Sequence, residues 1–211
     1  MTYILPRTAK FLAKRLRRNE EGAAAIEFAF VAPVMIMMYF GLAEIATAID
    51  ADRRVSHGTN VAGDLATHTS EMTVTDVEET LSAAIRIMGV ADARKVTIDM
   101  RSFIKDTNGN ITSEGIVQMN PSANNLPSFN AATLDEKILS ENSGIVVTRV
   151  AYTYSPLKLR FFDTDITLSE TFMLKPRRSN SVVIGKDSGK DISCSASGYA
   201  TVTCTGSTSS S

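Results

Sequence analysis

The chain has 211 residues, 44% of them apolar, no Trp and a formal net charge of −1. This length holds one modest domain plus an anchor, and the balanced charge lacks the basic face of a nucleic-acid binder, so no nucleic-acid partner is expected. The two cysteines, Cys194 and Cys204, fit neither a zinc pattern nor a CxxC redox pair. Their spacing leaves a local disulfide, if this end lies in an oxidising compartment, or two unpaired thiols.

Residues 1–22 form a basic leader with Arg7, Lys10, Lys14, Arg15, Arg17 and Arg18 against the acids Glu20 and Glu21. Positive charge just ahead of an apolar run keeps that side in the cytoplasm, so residues beyond Ile49 are expected outside it. From Phe28 to Ala43 no residue is charged. As a helix those sixteen residues span roughly 24 Å, short of the roughly 30 Å hydrocarbon core of a bilayer. A membrane helix over residues 23–49 therefore draws Glu27, Glu44 or both to the membrane edge or into it. A central acid costs about 2.5–3.5 kcal/mol on insertion scales and calls for a cation or a proton. Cleavage after Gly22 would supply the cation: Ala23 becomes a free amino terminus one helical turn from Glu27. Pro33, inside the span, is expected to kink or locally unwind the helix. Ala25, Ala29, Ala32 and Gly41 are small enough for a neighbouring helix to approach closely.

Gly22 followed by AAAIE, after a basic leader and before FAFVAPVMIMM, resembles the processing signal of type IV prepilin-like proteins, and most of all the TadE-type minor pseudopilins of tight-adherence (Tad/Flp) pili. The resemblance covers about Arg17 to Asp52. It implies a structural assembly protein rather than an enzyme, cut after Gly22 by a prepilin peptidase. It further implies a single-pass inner-membrane location with the amino terminus cytoplasmic and the head periplasmic, the chain either staying in the membrane or entering the pilus. The implied partners are that peptidase, other pseudopilins, the Flp pilin and the inner-membrane assembly platform, with no cofactor and no metal. Phe28 stands where the short major pilins carry Tyr, and a long region follows the helix, so a major-pilin role is not expected. The alternative is a single-pass membrane-anchored periplasmic binding module that is not cleaved; a signal-peptidase site at Ala46-Thr47-Ala48 is a weaker option.

Residues 50–90 read as a helical stalk and a second helix. Val55, Gly58, Ala62, Leu65, Thr69 and Met72 make a thin apolar seam, and Gly58 and Gly63 weaken the helix enough for a break there. His57 and His68, eleven residues apart, cannot share a metal and read as solvent-facing. Thr75 and Glu78 read as a capping box for a helix whose stripe is Val77, Leu81, Ala84, Ile85 and Met88, with Gly89 as its stop.

A head over residues 91–178 follows. Lys95–Lys105 alternates as a strand, Asp106–Asn110 holds an Asn-Gly turn and Ile111–Met119 returns. Residues 120–133 form a loop and Thr133 with Glu136 caps a short helix. Ile145–Tyr154 is the most β-prone run, and Ile166–Leu174 follows a connection containing Phe161 and Phe162. The expected fold is α+β: a long N-terminal transmembrane helix with a polar extension, then a small head with a mainly antiparallel sheet of four strands. Residues 179–211 read as a Ser/Thr/Gly-rich tail without a core of its own, dockable as an edge hairpin if the cysteines bond. The sequence has no GxSxG, HExxH, Walker A or GxGxxG, and no catalytic residues are assigned.

Overall fold

A computed structural model describes residues 21–127, 129–134, 138–156, 164–186 and 189–207. Residues 1–20 of the leader, Ser128, the capping residue Glu136 and the Phe161–Phe162 pair lie outside them. The chain divides into two units, residues 1–46 and Thr47–Ser211.

Helix α1, Glu21–Thr67, is one uninterrupted α-helix of 47 residues. Only its first part is apolar all round: Ile26, Phe28, Phe30, Met35, Tyr39 and Leu42 are all exposed. Its last part belongs to the head. There Val55, Thr59, Ala62, Ala66 and Thr67 are buried, while Leu65, expected on the seam, is 39% exposed. The seam thus runs one residue to the side of Leu65, along the small residues. Gly58 and Gly63 do not break the helix; they let it come close. A Cβ on Gly58 would meet the side chain of Met88 and, at 3.0 Å, the carbonyl oxygen of Ala84, and one on Gly63 would meet Leu174 Cδ1 at 3.0 Å. We expect Gly58→Val to overpack this contact and lower head stability by about 1–3 kcal/mol, read as a lower midpoint in urea with an unchanged m-value.

Strand β1, Glu71–Met72, leads into α2, Val74–Met88. The cap is Thr73, two residues ahead of the expected Thr75: its hydroxyl accepts from Asp76 N–H, and the Asp76 carboxylate accepts from Thr73 N–H at 2.8 Å. Asp, shorter than the Glu of the usual box, closes the reciprocal pair from the same third position. Gly89, with φ of 60°, ends α2 in the left-handed conformation. Val77, Leu81, Ala84, Ile85 and Met88 are all buried, as the stripe predicts.

Six strands form the main sheet, in the order β5-β4-β2-β3-β7-β8. They are β2 Val96–Lys105, β3 Ile111–Met119, β4 Ser143–Tyr154, β5 Ile166–Leu174, β7 Asp191–Ser197 and β8 Thr201–Ser207; β6, Val183–Ile184, pairs separately with β1. All pairings in the main sheet are antiparallel except β3 with β7. The fold is therefore α+β with a mostly antiparallel sheet. One face carries the main core, where Ile98, Met100, Val117, Val146 and Val150 meet α2 and the end of α1. The other face is covered too: Phe103, Ile145 and Val147 pack with Leu134, Leu139 and Phe129 from the 120–142 segment.

The two strands beyond the expected four at this edge come from the Ser/Thr-rich C-terminal region. Along β7 every second residue is buried, namely Ile192, Cys194 and Ala196, and Val202 and Cys204 answer from β8. Cys194 and Cys204 sit directly opposite one another and are joined in a disulfide. The backbone N–H of Cys204 also donates to Glu78 Oε1 of α2 at 2.6 Å, which ties the hairpin to the helix it covers.

Candidate functional site

The residues singled out by sequence lie on the first part of α1. A helix that is apolar on every side satisfies its backbone internally and leaves its side chains to be covered by lipid or by other helices. This segment is long and apolar enough to cross a membrane, and its apolar window is wholly unburied in the isolated chain.

Gly22 lies in the first turn of α1, and a Cβ there would meet nothing within 4 Å. It is not among the residues with positive φ. Neither close packing nor backbone geometry in the described residues calls for glycine at this position, although glycine costs a helix about 1 kcal/mol relative to Ala. Ala23 follows on the same turn, and Glu27 is exposed one turn further on, without an ion pair to any described residue. Helical conformation continues through Pro33, whose ring removes the single N–H that would have met the carbonyl of Ala29. Glu44, which closes the charge-free run, is buried.

In the head, His57 and His68 are exposed, and His68 Nε2 faces Asp64 Oδ2 at 3.3 Å. Among the described residues no group of three or more His, Cys, Asp or Glu side chains could hold a metal ion. Arg177 pairs with Asp64.

The feature that sequence reading missed is a buried charge cluster on the second face of the sheet. Asp99 of β2 lies between Arg101, whose Nε donates to Oδ1 at 2.9 Å, and Arg149 of β4, whose Nη2 donates to Oδ2. The guanidinium of Arg149 stacks over the Phe129 ring, 5.5 Å from its centroid. Side-chain exposures of 6% for Asp99, 13% for Arg101 and 10% for Arg149 make this an interior network. Asp99 and Arg101 fall on the polar side of the strand's alternation, and Phe129, whose carbonyl accepts from Arg101 Nη1 and whose ring lies under Arg149, helps to cover them. Nearby, Asn124 donates to the Lys95 and Ala151 carbonyls and fixes the same segment to the sheet.

An apolar N-terminal helix long enough to cross a membrane, with an α+β head, is consistent with single-pass membrane anchoring. Residues 22–64 match the family model of the TadE-like proteins. The match covers about a fifth of the chain and starts at Gly22; over this region the chain is similar to TadE-like proteins. No curated protein and no solved structure matches the chain significantly.

Proposed function

We propose that the protein is a minor pseudopilin that takes part in assembly of tight-adherence pili at the bacterial inner membrane, cut after Gly22 by a prepilin peptidase. The observation that carries this reading is Gly22 itself: a glycine in a helix, with no described residue packed against it, at the first residue of the family match. A residue that folding does not require is best understood as one that another protein reads. In this reading residues 1–22 are the leader, residues 23–49 anchor the product, and the head from residue 50 onward lies in the periplasm. The Cys194–Cys204 disulfide supports that orientation, because such bonds persist in oxidising compartments and are rare in the cytoplasm. The new Ala23 amine and the Glu27 carboxylate of a neighbouring subunit neutralise one another within the membrane, where either charge alone is costly. The partners are the peptidase, other pseudopilins, the Flp pilin and the inner-membrane assembly platform; the role is structural.

The test is piliation. Glu27→Ala is expected to leave cleavage intact, as read by the mass of the mature chain, and to reduce surface pili at least tenfold by electron microscopy. Normal piliation with Glu27→Ala would remove the charge-pairing role, and normal piliation in a strain lacking the whole protein would remove the function.

A further inference from the structure

The two edges of the six-stranded sheet differ. At one, β8 packs against α2, and the Glu78 side chain takes the Cys204 N–H. At the other, β5 runs beside β4 in unbroken register over all nine of its residues, with no bulge to turn it away. It holds no Lys, Arg or Pro, its one charge is Glu170, and among the described residues no loop or side chain hydrogen-bonds to its backbone. Such an edge presents N–H and C=O groups at strand spacing, and the ligand that matches them in series is another strand. Its side chains are left open as well. On the core face Leu168 and Phe172 stay half-buried, whereas Val146 and Val150 of β4 are sealed; on the other face Thr167, Thr171 and Met173 are exposed.

A second copy of the chain offers an edge that is open in the same way and alternates in the same way, apolar toward the core and polar on the other side. Two-fold antiparallel pairing therefore sets like face beside like face. The lone charge decides the register. Pairing centred on Glu170 would put two carboxylates directly opposite one another, which is unfavourable. Moving the centre to Thr171 keeps every side chain on its face, removes that repulsion and sets Leu168 opposite Leu174 of the second copy. We propose that β5 is the docking edge for a second copy of this chain, the two β5 strands pairing antiparallel about Thr171 and joining the two sheets into one.

The test uses the full chain in lauryl maltoside. The native cysteines are already bonded to each other, so a single new cysteine reports on contact between copies. Thr171→Cys is expected to give a covalent dimer on mild oxidation, because side chains directly opposite across paired strands have Cβ atoms about 4.5–5.5 Å apart, within disulfide reach. Thr203→Cys, also exposed but on β8, is expected to stay monomeric on a non-reducing gel. By sedimentation equilibrium Thr171→Lys should self-associate more weakly than wild type by on the order of tenfold, since like charges then face one another across the axis. An equimolar mixture of Thr171→Lys and Thr171→Glu should recover the association, with the thermal midpoints of all three proteins unchanged. No preference for the Thr171→Cys cross-link, or equal association of wild type and Thr171→Lys, would overturn the proposal. So would cross-linking of Thr171→Cys in cells to a different protein instead of its own copy, which would give the edge another occupant. The head alone supplies this edge, so an uncut Gly22 would sink the pseudopilin reading and leave this pairing standing.

Discussion

Asp99→Ala is expected to lower the stability of the head by about 3–5 kcal/mol, the cost of removing one partner from a buried ion cluster. Domains of this size are stable by only about 5–15 kcal/mol, so the loss is a large fraction of the total, and with about 2–4 °C per kcal/mol the thermal midpoint falls by roughly 10 °C. The cause is specific. With Asp99 gone, Arg101 and Arg149 remain as two interior cations on adjacent strands, and Arg149 Nε already lacks a hydrogen-bond partner. Asp99→Asn keeps an acceptor but no charge and should fall between the wild type and the alanine variant. If the penalty is the stranded charge, adding Arg149→Met to Asp99→Ala should recover part of the loss, whereas a purely steric role for Asp99 predicts that the two changes add. Denaturant melts of the four proteins decide between these outcomes.

Removing the disulfide should have the next largest effect. For a sequence separation of 10 residues the chain-entropy argument gives about 3 kcal/mol. The consequence reaches beyond the hairpin, because Cys194, Ala196, Val202 and Cys204 are part of the main core and β8 covers α2. Cys194→Ser/Cys204→Ser, or the wild type under reductant, is expected to unfold at a denaturant midpoint lower by the equivalent of about 2–4 kcal/mol. Amide exchange should quicken first in β7 and β8, and then at the Glu78 end of α2, where the Cys204 N–H is anchored. Unchanged exchange across residues 191–207 after reduction would contradict this role for the bond.

These two features mark where the sequence stopped being readable. The stripe of α2, the strands from Val96 to Leu174 and the Asn-Gly turn were legible because local period and turn chemistry decide them. The C-terminal hairpin was not. Its alternation becomes visible only when Cys194 and Cys204 are counted as buried apolar positions beside Ile192, Ala196 and Val202, and its partner β3 lies some seventy residues back in the chain. Asp99 likewise falls on the polar side of its strand's alternation, and no local rule announces that an Asn/Ser/Pro-rich segment will pack over it and its partner Arg149. Gly58 and Gly63 were misjudged for a related reason: intrinsic helix propensity counts against them, while the close approach of α2 and the sheet, a tertiary contact, requires them. Of the candidate site, Gly22, Ala23 and Glu27 are legible as a spaced motif, and among the described residues nothing packs against Gly22.

The central claim is the cut after Gly22. Intact-mass analysis of the protein purified from membranes, in cells with and without the prepilin peptidase, tests it most directly. The account predicts a chain beginning at Ala23 when the peptidase is present and an uncut chain when it is absent, with Gly22→Leu uncut in both. A chain that keeps its leader in the presence of the peptidase would contradict the account and favour an uncleaved, membrane-anchored binding module.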